Sequence, residues 1–249
     1  MRVRGRGEYS VQSVENALML LEALGEQDDE VTLSQLSERL GMNKASVFRL
    51  LATFENRGYV ERRQGAGGYG LGPLAYEVGQ KLLSRMDLLR KSKPVMEGLA
   101  REYREAVYLV VRRGGEALFL DGVDSSHQVK VVSLVGKRFP LEVCAAGRVL
   151  QAFEGGGPGA VAGCLEAVLL PAEDAAIREC GACADLHGVG LGSAALAVPL
   201  LASGGQAVGA LTVVGPDFRL DADGLSMGLL AALCGAAEVV NSRMGFPSG

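Results

Sequence analysis

The sequence predicts an α+β protein made of two domains that are joined by a helical connection. Residues 11–72 combine three amphipathic helical patterns with a glycine-rich hairpin, whereas the chain beyond residue 94 mixes strands with helices. The helical stretch 76–93 separates these two parts, which gives predicted domains of 1–75 and 94–249 and a linker helix between them. With 249 residues, 48% of them hydrophobic, the chain is long enough for two packed cores.

The first domain opens with two predicted helices. The first is expected to begin at Ser13 as its N-cap. Its predicted inward side chains are Val14, Ala17, Leu18, Leu21 and Leu24. The second helix is expected to begin at Thr32, with Gln35 completing a capping box and Gly41 ending the helix in the left-handed conformation.

A third helix and a hairpin complete this domain. Asn43 is the predicted cap of the third helix, which ends at Gly58. The short strands 59–63 and 69–71 flank the glycine-rich turn 64–68 and predict a β-hairpin. Two helices joined at a glycine turn and followed by a hairpin are typical of a winged helix-turn-helix. Such a unit places the start of its last helix in the major groove of DNA.

The polar residues of this unit form a predicted DNA interface. Lysine and arginine reach phosphates or guanine edges, asparagine pairs with adenine, and arginines at the base of a wing meet the adjacent DNA backbone. The alternative is a three-helix packing module whose basic residues are solvated surface charges, but the ordered set of elements favours DNA binding. The predicted DNA-binding residues are Asn43, Lys44, Ser46, Arg49, Arg62 and Arg63.

The second domain mixes predicted strands with predicted helices. A helical pattern runs from Pro73 to about residue 85, and Pro94 is expected to open a further helix at its first position. Helices are predicted from Ala145, over 173–179 and over 221–242. Strands that come first, and helices that lie between later strands, predict an α/β domain without a doubly wound parallel sheet. The predicted strands are 107–111, 117–121, 129–135, 194–200 and 207–214.

Charge and cysteine content restrict the function classes. Residues 1–93 carry 14 Lys/Arg against 12 Asp/Glu, and residues 94–249 carry 11 against 17, so the basic bias of the first domain is mild. Five cysteines without a signal peptide predict free thiols and a cytoplasmic protein. Pro199 and Gly204 interrupt the apolar stretch 194–214, so no membrane span is predicted.

Nine segments follow the order of one known family. Those of the first half include Lys44-Ala-Ser-Val-Phe-Arg-Leu-Leu51, and those of the second half include Ala207-Val-Gly-Ala-Leu-Thr-Val-Val-Gly-Pro216. The others are 11–18, 33–41, 55–60, 69–72, 121–127, 136–141 and 177–181. Together they resemble the isocitrate lyase regulator (IclR) family of transcriptional regulators. The resemblance implies a GAF-like effector-binding domain and a homodimer, or a homotetramer built as a dimer of dimers, on near-palindromic double-stranded DNA. It implies a repressor more often than an activator, and the sign stays open.

The resemblance also implies a small-molecule site in the second domain. Segment 144–148 resembles the ligand loop of the family, and its small side chains leave helix N–H groups for an anionic effector or, alternatively, permit close helix packing. Asp185 is similar to a polar ligand contact, Ala195 stands where many members have Cys, and Thr212 and Val214 stand at two positions that are often Ser. These replacements predict a pocket that is more apolar than one for a small oxoacid, and therefore a larger or more hydrophobic effector, such as an aromatic or other organic acid or an acyl compound. The predicted effector-binding residues are Phe139, Leu141, Cys144, Ala145, Ala146, Asp185, Ala195, Thr212 and Val214, and Val129, Phe139 and Leu141 fit plain core equally well.

A second hypothesis uses the thiols. Cys180-Gly-Ala-Cys183 is a C-x-x-C motif, Cys164 or His187 would have to complete a metal site there, and Cys144 with His127 or His187 would form a nucleophile and base. Zinc would need two ligands besides Cys180 and Cys183, the two histidines show no paired spacing, and the sequence indicates no third group to orient a Cys-His pair. We therefore predict no enzyme, no metal and no cofactor, with a cytoplasmic thiol redox sensor or thiol enzyme as the alternative.

Overall fold

The computed structural model describes residues 11–26, 30–63, 67–156, 174–202, 204–220 and 227–245. The chain divides into two compact units, Met1–Arg85 and Met86–Gly249, and the division lies within the predicted linker segment 76–93. The turn residues 64–66, the loop residues 157–159, Cys164 and the predicted helix start 221–226 lie outside the described residues. None of the helices in the described ranges is long and apolar enough to cross a membrane.

Three helices form the core of the N-terminal unit: α1 (Gln12–Gly25), α2 (Leu33–Leu40) and α3 (Lys44–Asn56). Thr32 and Gln35 form the predicted capping box of α2, and Gly41 ends that helix at a φ of 62°. The side-chain oxygen of Asn43 accepts the N–H of Ser46 at 2.8 Å and caps α3. Local hydrogen bonding therefore fixes the helix-turn-helix geometry as predicted. The most deeply buried side chains here are Leu20, Leu36, Val47 and Leu51.

The predicted inward face of α1 is partly wrong. Val14 and Leu18 are each 54% exposed. The residues of α1 in the core are Leu20, Ala23 and Leu24, and Leu21 packs against them half-buried, so the prediction is right for Leu21 and Leu24. The helix begins at Gln12 without a side-chain cap, so Ser13 is not its N-cap. Apolar residues occur on both sides of α1, and helical periodicity therefore fits two different faces.

A small hairpin and a fourth helix follow α3. Strands β1 (Val60–Arg62) and β2 (Tyr69–Leu71) pair antiparallel, and Val31 bridges to Tyr69. The hairpin is thereby tied to the segment that precedes α2. Helix α4 (Pro73–Leu83) comes next, and none of its residues is buried.

The C-terminal unit is an antiparallel sheet between two layers of helices. Its elements, in chain order, are α5 (Asp87–Tyr103), β3 (Ala106–Arg113), β4 (Glu116–Val123), β5 (Arg138–Pro140), α6 (Ala145–Ala152), α7 (Asp174–Cys180), β6 (Cys183–Leu186), β7 (Ser193–Leu201), β8 (Ala207–Pro216) and α8 (Met227–Arg243). Within the described ranges the strand order is β5-β4-β3-β8-β7-β6, and every neighbouring pair is antiparallel. The absence of a doubly wound parallel sheet from these ranges is as predicted.

The two faces of the sheet have different covers. Helices α6 and α7 pack over one face, in the cluster that contains Tyr108, Ala197 and Val214. Helices α5 and α8 contact each other and the strands on the other side. The Tyr103 hydroxyl on α5 donates to the carbonyl of Gly228 on α8 at 3.2 Å. Alternating strand residues therefore point into two separate cores.

Two predicted elements of this unit are wrong. Segment 129–135 forms no strand. Side chains bind two of its backbone groups: Arg219 donates to the Val129 carbonyl at 2.9 Å, and the Leu134 N–H donates to the Tyr108 hydroxyl at 3.4 Å. Pro94 does not open a helix. It lies inside α5, which begins seven residues earlier at Asp87, and it deprives the Arg90 carbonyl of its helical donor. The short edge strands β5 and β6 were not predicted.

Candidate nucleic-acid interface and effector site

The exposed side of α3 is the candidate DNA-reading face. Val47 and Leu51 are buried on the side opposite Arg49, which projects into solvent, and Lys44 is exposed at the first position of the helix. Asn43 is exposed as well, but its side-chain oxygen already accepts the Ser46 N–H. A bidentate contact with adenine needs both the oxygen and the amide nitrogen of asparagine. As long as the cap is kept, Asn43 therefore offers DNA only its N–H donors.

Sequence reasoning missed Phe48, an aromatic side chain on α3 that is 54% exposed. The helical periodicity of the sequence could have indicated this exposure, because Phe48 falls outside the repeat formed by the inward residues Val47, Leu51 and Phe54. Ala45, which precedes it by three residues, is exposed too. The outward surface of α3 thus combines small, aromatic and cationic side chains.

The two arginines at the base of the hairpin differ in their surroundings. The guanidinium of Arg62 lies 6.0 Å from the centre of the Tyr69 ring, a cation–π contact that keeps its charge available. Arg63 is exposed, and its Nε lies 3.4 Å from a carboxylate oxygen of Glu61. Arg62 therefore presents the less neutralised charge of the two.

The predicted effector residues converge on the face of the sheet that α6 covers. Asp185 on β6 lies opposite Ala195 on β7, which lies opposite Val214 on β8. Thr212 lies one row further along, opposite Ala197. Those that approach from the α6 side, all buried, are Leu141, Cys144, Ala145 and Ala146. Phe139 is half-buried on β5 and meets the Phe119 ring edge-on at 5.5 Å.

Asp185 occupies the N-terminal end of α6. Its carboxylate accepts the N–H of Ala145 and, at 3.0 Å, the N–H of Gly188. Burial raises the pKa of Asp185, and the two hydrogen bonds partly oppose that shift. The expectation of an accessible first N–H is therefore wrong at Ala145, because a carboxylate of the chain itself takes the place that was predicted for an anionic effector.

The small side chains of segment 144–148 serve close packing. A Cβ added to Gly147 would lie 2.3 Å from the carbonyl oxygen and 2.7 Å from the Cα of Leu141. Since both of these atoms belong to the backbone, a larger residue would push α6 away from the turn before it. Of the two explanations that the sequence left open, close packing accounts for Gly147.

The Thr212 hydroxyl is buried next to the candidate effector residues. The Thr212 side chain is 1% exposed, and its Oγ1 makes no hydrogen bond with any described residue. By strand alternation it shares the α6 side of the sheet with Val214. An unsatisfied hydroxyl in such surroundings costs about 1–3 kcal/mol, which a ligand acceptor or donor would recover.

A cavity of about 400 Å³ lies between segments 129–137 and 189–193. Its walls include Val131, Leu134, Val189 and Leu191, with Lys137 among the lining residues. Leu134 and Val189 also belong to the core cluster of Ala145 and Val214, so the cavity adjoins the candidate effector residues. Val129 is exposed and lines the same cavity, which makes it a wall residue rather than core.

Cys144 and Cys183 lie in surroundings that suppress the reactivity of their thiols. Burial raises the pKa of Cys144 to about 11 and that of Cys183 to about 12. The histidines have other neighbours: His187 Nδ1 accepts the Gly192 N–H at 3.1 Å, and His127 Nε2 lies 3.9 Å from Glu105. Over the described ranges, no three His, Cys, Asp or Glu side chains come together as a metal site.

Two domain families match parts of the chain. The IclR helix-turn-helix domain matches residues 13–64, and the C-terminal domain of bacterial transcriptional regulator IclR matches residues 80–157. KipR of Bacillus subtilis is 37% identical over 123 residues, about half of each chain (49%). KdgR of Escherichia coli is 29% identical over 95% of this chain and 94% of its own. The glycerol operon regulatory protein of Streptomyces griseus is 30% identical over 95% and 97%.

Solved structures give the same fold. An IclR-family regulator from Alicyclobacillus acidocaldarius superimposes with a TM-score of 0.77 at 22% identity, covering 94% of this chain and 99% of that one. An IclR homologue from Microbacterium hydrocarbonoxydans, complexed with 4-hydroxybenzoate, has a TM-score of 0.75 at 21% identity and covers the same shares, 94% and 99%. With its helix-turn-helix unit and its GAF-like α/β unit, the chain belongs to the IclR family of transcriptional regulators.

Proposed function

We propose that this regulator binds a near-palindromic operator in the cytoplasm as a homodimer or a dimer of dimers, acts as a repressor, and is controlled by a small organic acid. The observation that carries the DNA contact is the outward face of α3, where Lys44 and Arg49 flank exposed Ala45 while Val47 and Leu51 anchor the helix. Arg62 and Arg63 at the hairpin base supply contacts to the adjacent DNA backbone.

Exposed apolar side chains on two helices of the N-terminal unit support a paired molecule. Val14 and Leu18 lie on one stripe of α1, and α4 exposes Tyr76, Val78 and Leu82. Clustered exposed apolar side chains are typical of protein interfaces. A second copy that covers them would present two recognition helices to half-sites about 34 Å apart.

The effector site is proposed on the α6 face of the sheet, next to the cavity at segments 129–137. Ala195 and Val214 make its floor apolar, and the buried Thr212 hydroxyl offers a hydrogen bond. The Microbacterium homologue was crystallised with 4-hydroxybenzoate, an aromatic acid, which supports this class of ligand. Binding that favours one sensor arrangement would shift the spacing of the recognition helices through the connection 76–93.

The test is operator binding by the full chain and by Arg49→Ala. The probe is a duplex that the wild-type chain selects from random-sequence DNA, and affinity is measured by fluorescence anisotropy at several salt concentrations. Loss of a base-edge or phosphate contact should weaken binding at least five-fold. Arg101→Ala removes an exposed arginine of the C-terminal unit and is the matched control. Unchanged affinity of Arg49→Ala would contradict the assigned interface.

Effector control is tested with 4-hydroxybenzoate and pyruvate as probes. A ligand that binds only the folded chain raises its melting temperature, and a controlling effector also changes operator affinity. We expect 4-hydroxybenzoate, the more apolar acid, to give the larger shift. Tight binding of pyruvate without any response to 4-hydroxybenzoate would contradict an apolar site.

A further inference from the structure

Phe48 lies on the outward surface of α3, and the DNA contacts proposed for the polar residues of this helix give it no role. At about 100° per residue, Phe48 and Arg49 stand about 60° and about 40° to either side of Ala45 around the helix axis. Ala52, half-buried, lies nearly in line with Ala45. Two alanines thus form a central line, with an aromatic side chain on one flank and a cation on the other.

This arrangement suits the floor of a major groove. Small residues along the centre of the face allow the helix backbone to approach the base edges closely. An aromatic side chain on one flank then reaches base edges rather than phosphates. The only apolar group that DNA presents in the major groove is the 5-methyl group of thymine, which side chains such as Ala and Phe contact.

We infer that Phe48 is a specificity-determining residue that reads a thymine methyl group in each operator half-site. Exposure of about half of Phe48, 54%, to water is unfavourable in the free protein, and burial against a methyl group recovers part of that cost. The guanidinium of Arg49, on the other flank, is left for a guanine edge or a phosphate. The inference rests on the proposed DNA-binding function of α3.

The experiment removes the methyl group without altering base pairing. In the selected duplex, each thymine of a half-site is replaced in turn by deoxyuridine, together with its symmetry mate, and affinities of the full-length wild type and of variants are compared. For the wild type, one thymine pair should matter, with a loss of about four-fold per half-site and about fifteen-fold for both. Phe48→Ala should bind the thymine and uracil duplexes equally, and Phe48→Leu should retain part of the preference.

The controls separate this inference from the function on which it rests. Phe218→Ala removes another exposed phenylalanine, in the C-terminal unit, and should keep the wild-type preference for thymine. Equal wild-type affinity for all uracil duplexes, or an unchanged preference in Phe48→Ala, would overturn the role of Phe48 alone. Dissociation of the Phe48→Ala dimer with an unchanged thymine preference would assign the ring to a partner chain and overturn it too. Failure of the wild type to select any duplex would overturn DNA binding itself.

Discussion

Replacement of Gly147 by alanine tests whether α6 packs too closely on its neighbours to leave room beside its first turn. The added Cβ would lie 2.3 Å from the Leu141 carbonyl oxygen, well inside van der Waals contact. Both neighbouring groups are backbone, so α6 must shift as a whole. Gly98 in α5 is the matched control, because a Cβ there has no heavy atom within 4 Å.

The two substitutions should have opposite signs. Alanine stabilises a helix by about 1 kcal/mol relative to glycine, and Gly98→Ala should show most of that gain. At Gly147 the same gain is set against an overpacking cost in the upper part of the usual range, about 2–3 kcal/mol, because the atoms that clash are backbone; this leaves a net loss of about 1–2 kcal/mol. For a unit of this size, that loss lowers the melting temperature by about 2–8 °C.

Thermal unfolding followed by far-UV circular dichroism measures both changes. The two glycines belong to the C-terminal unit, so the N-terminal unit serves as an internal reference. A Gly147→Ala variant at least as stable as the wild type would refute the packing argument. Space for a ligand atom would then be the better explanation of the small residues in this segment.

Three further predictions concern the acid, the thiols and the assembly. Burial raises the folded-state pKa of Asp185 above its unfolded value, so the free energy of unfolding of the wild type should fall relative to that of Asp185→Asn as pH rises through the folded-state pKa. Below about pH 3.9 the two free energies should run parallel. Urea-unfolding profiles that stay parallel from pH 3 to 7 would contradict this. The pKa values of the Cys144 and Cys183 thiols are about 11 and about 12, so both should react with iodoacetamide at pH 7.5 at least about 100-fold more slowly in the folded chain than in urea. Peptide mass spectrometry measures the two rates. Rapid labelling of the native chain would support the redox hypothesis instead. Leu18→Ser removes an exposed apolar group of α1 and should therefore weaken self-association, as measured by analytical ultracentrifugation. The control Val239→Ser, on α8, should leave self-association unchanged. An unaltered Leu18→Ser dimer would place the interface elsewhere.

The parts of the fold that follow from local chemistry were predictable. The capping box at Thr32, the cap at Asn43 and the left-handed Gly41 each depend on residues within a few positions, and all three are confirmed. The family resemblance then supplied the order of the domains. It also singled out candidate effector residues such as Asp185, Ala195 and Val214, which lie far apart in sequence but adjacent on the sheet.

The errors arise where a distant partner decides the outcome. Segment 129–135 is rich in valine and therefore has strand propensity, but Arg219 and Tyr108 bind its backbone in place of a neighbouring strand. The contact of Asp185 with Ala145 joins residues 40 positions apart and has no local signal. Which apolar stripe of α1 faces the core depends likewise on what packs against it.

The pairing of β3 with β8 has a consequence for folding during synthesis on the ribosome. One neighbour of strand 106–113 is strand 207–216, so the sheet cannot be completed until translation has passed residue 216. The compact unit that ends at Arg85 needs no later residue for its own contacts and is free to fold early. During synthesis, a finished helix-turn-helix should therefore precede a finished sensor, and truncated products would carry the first without the second.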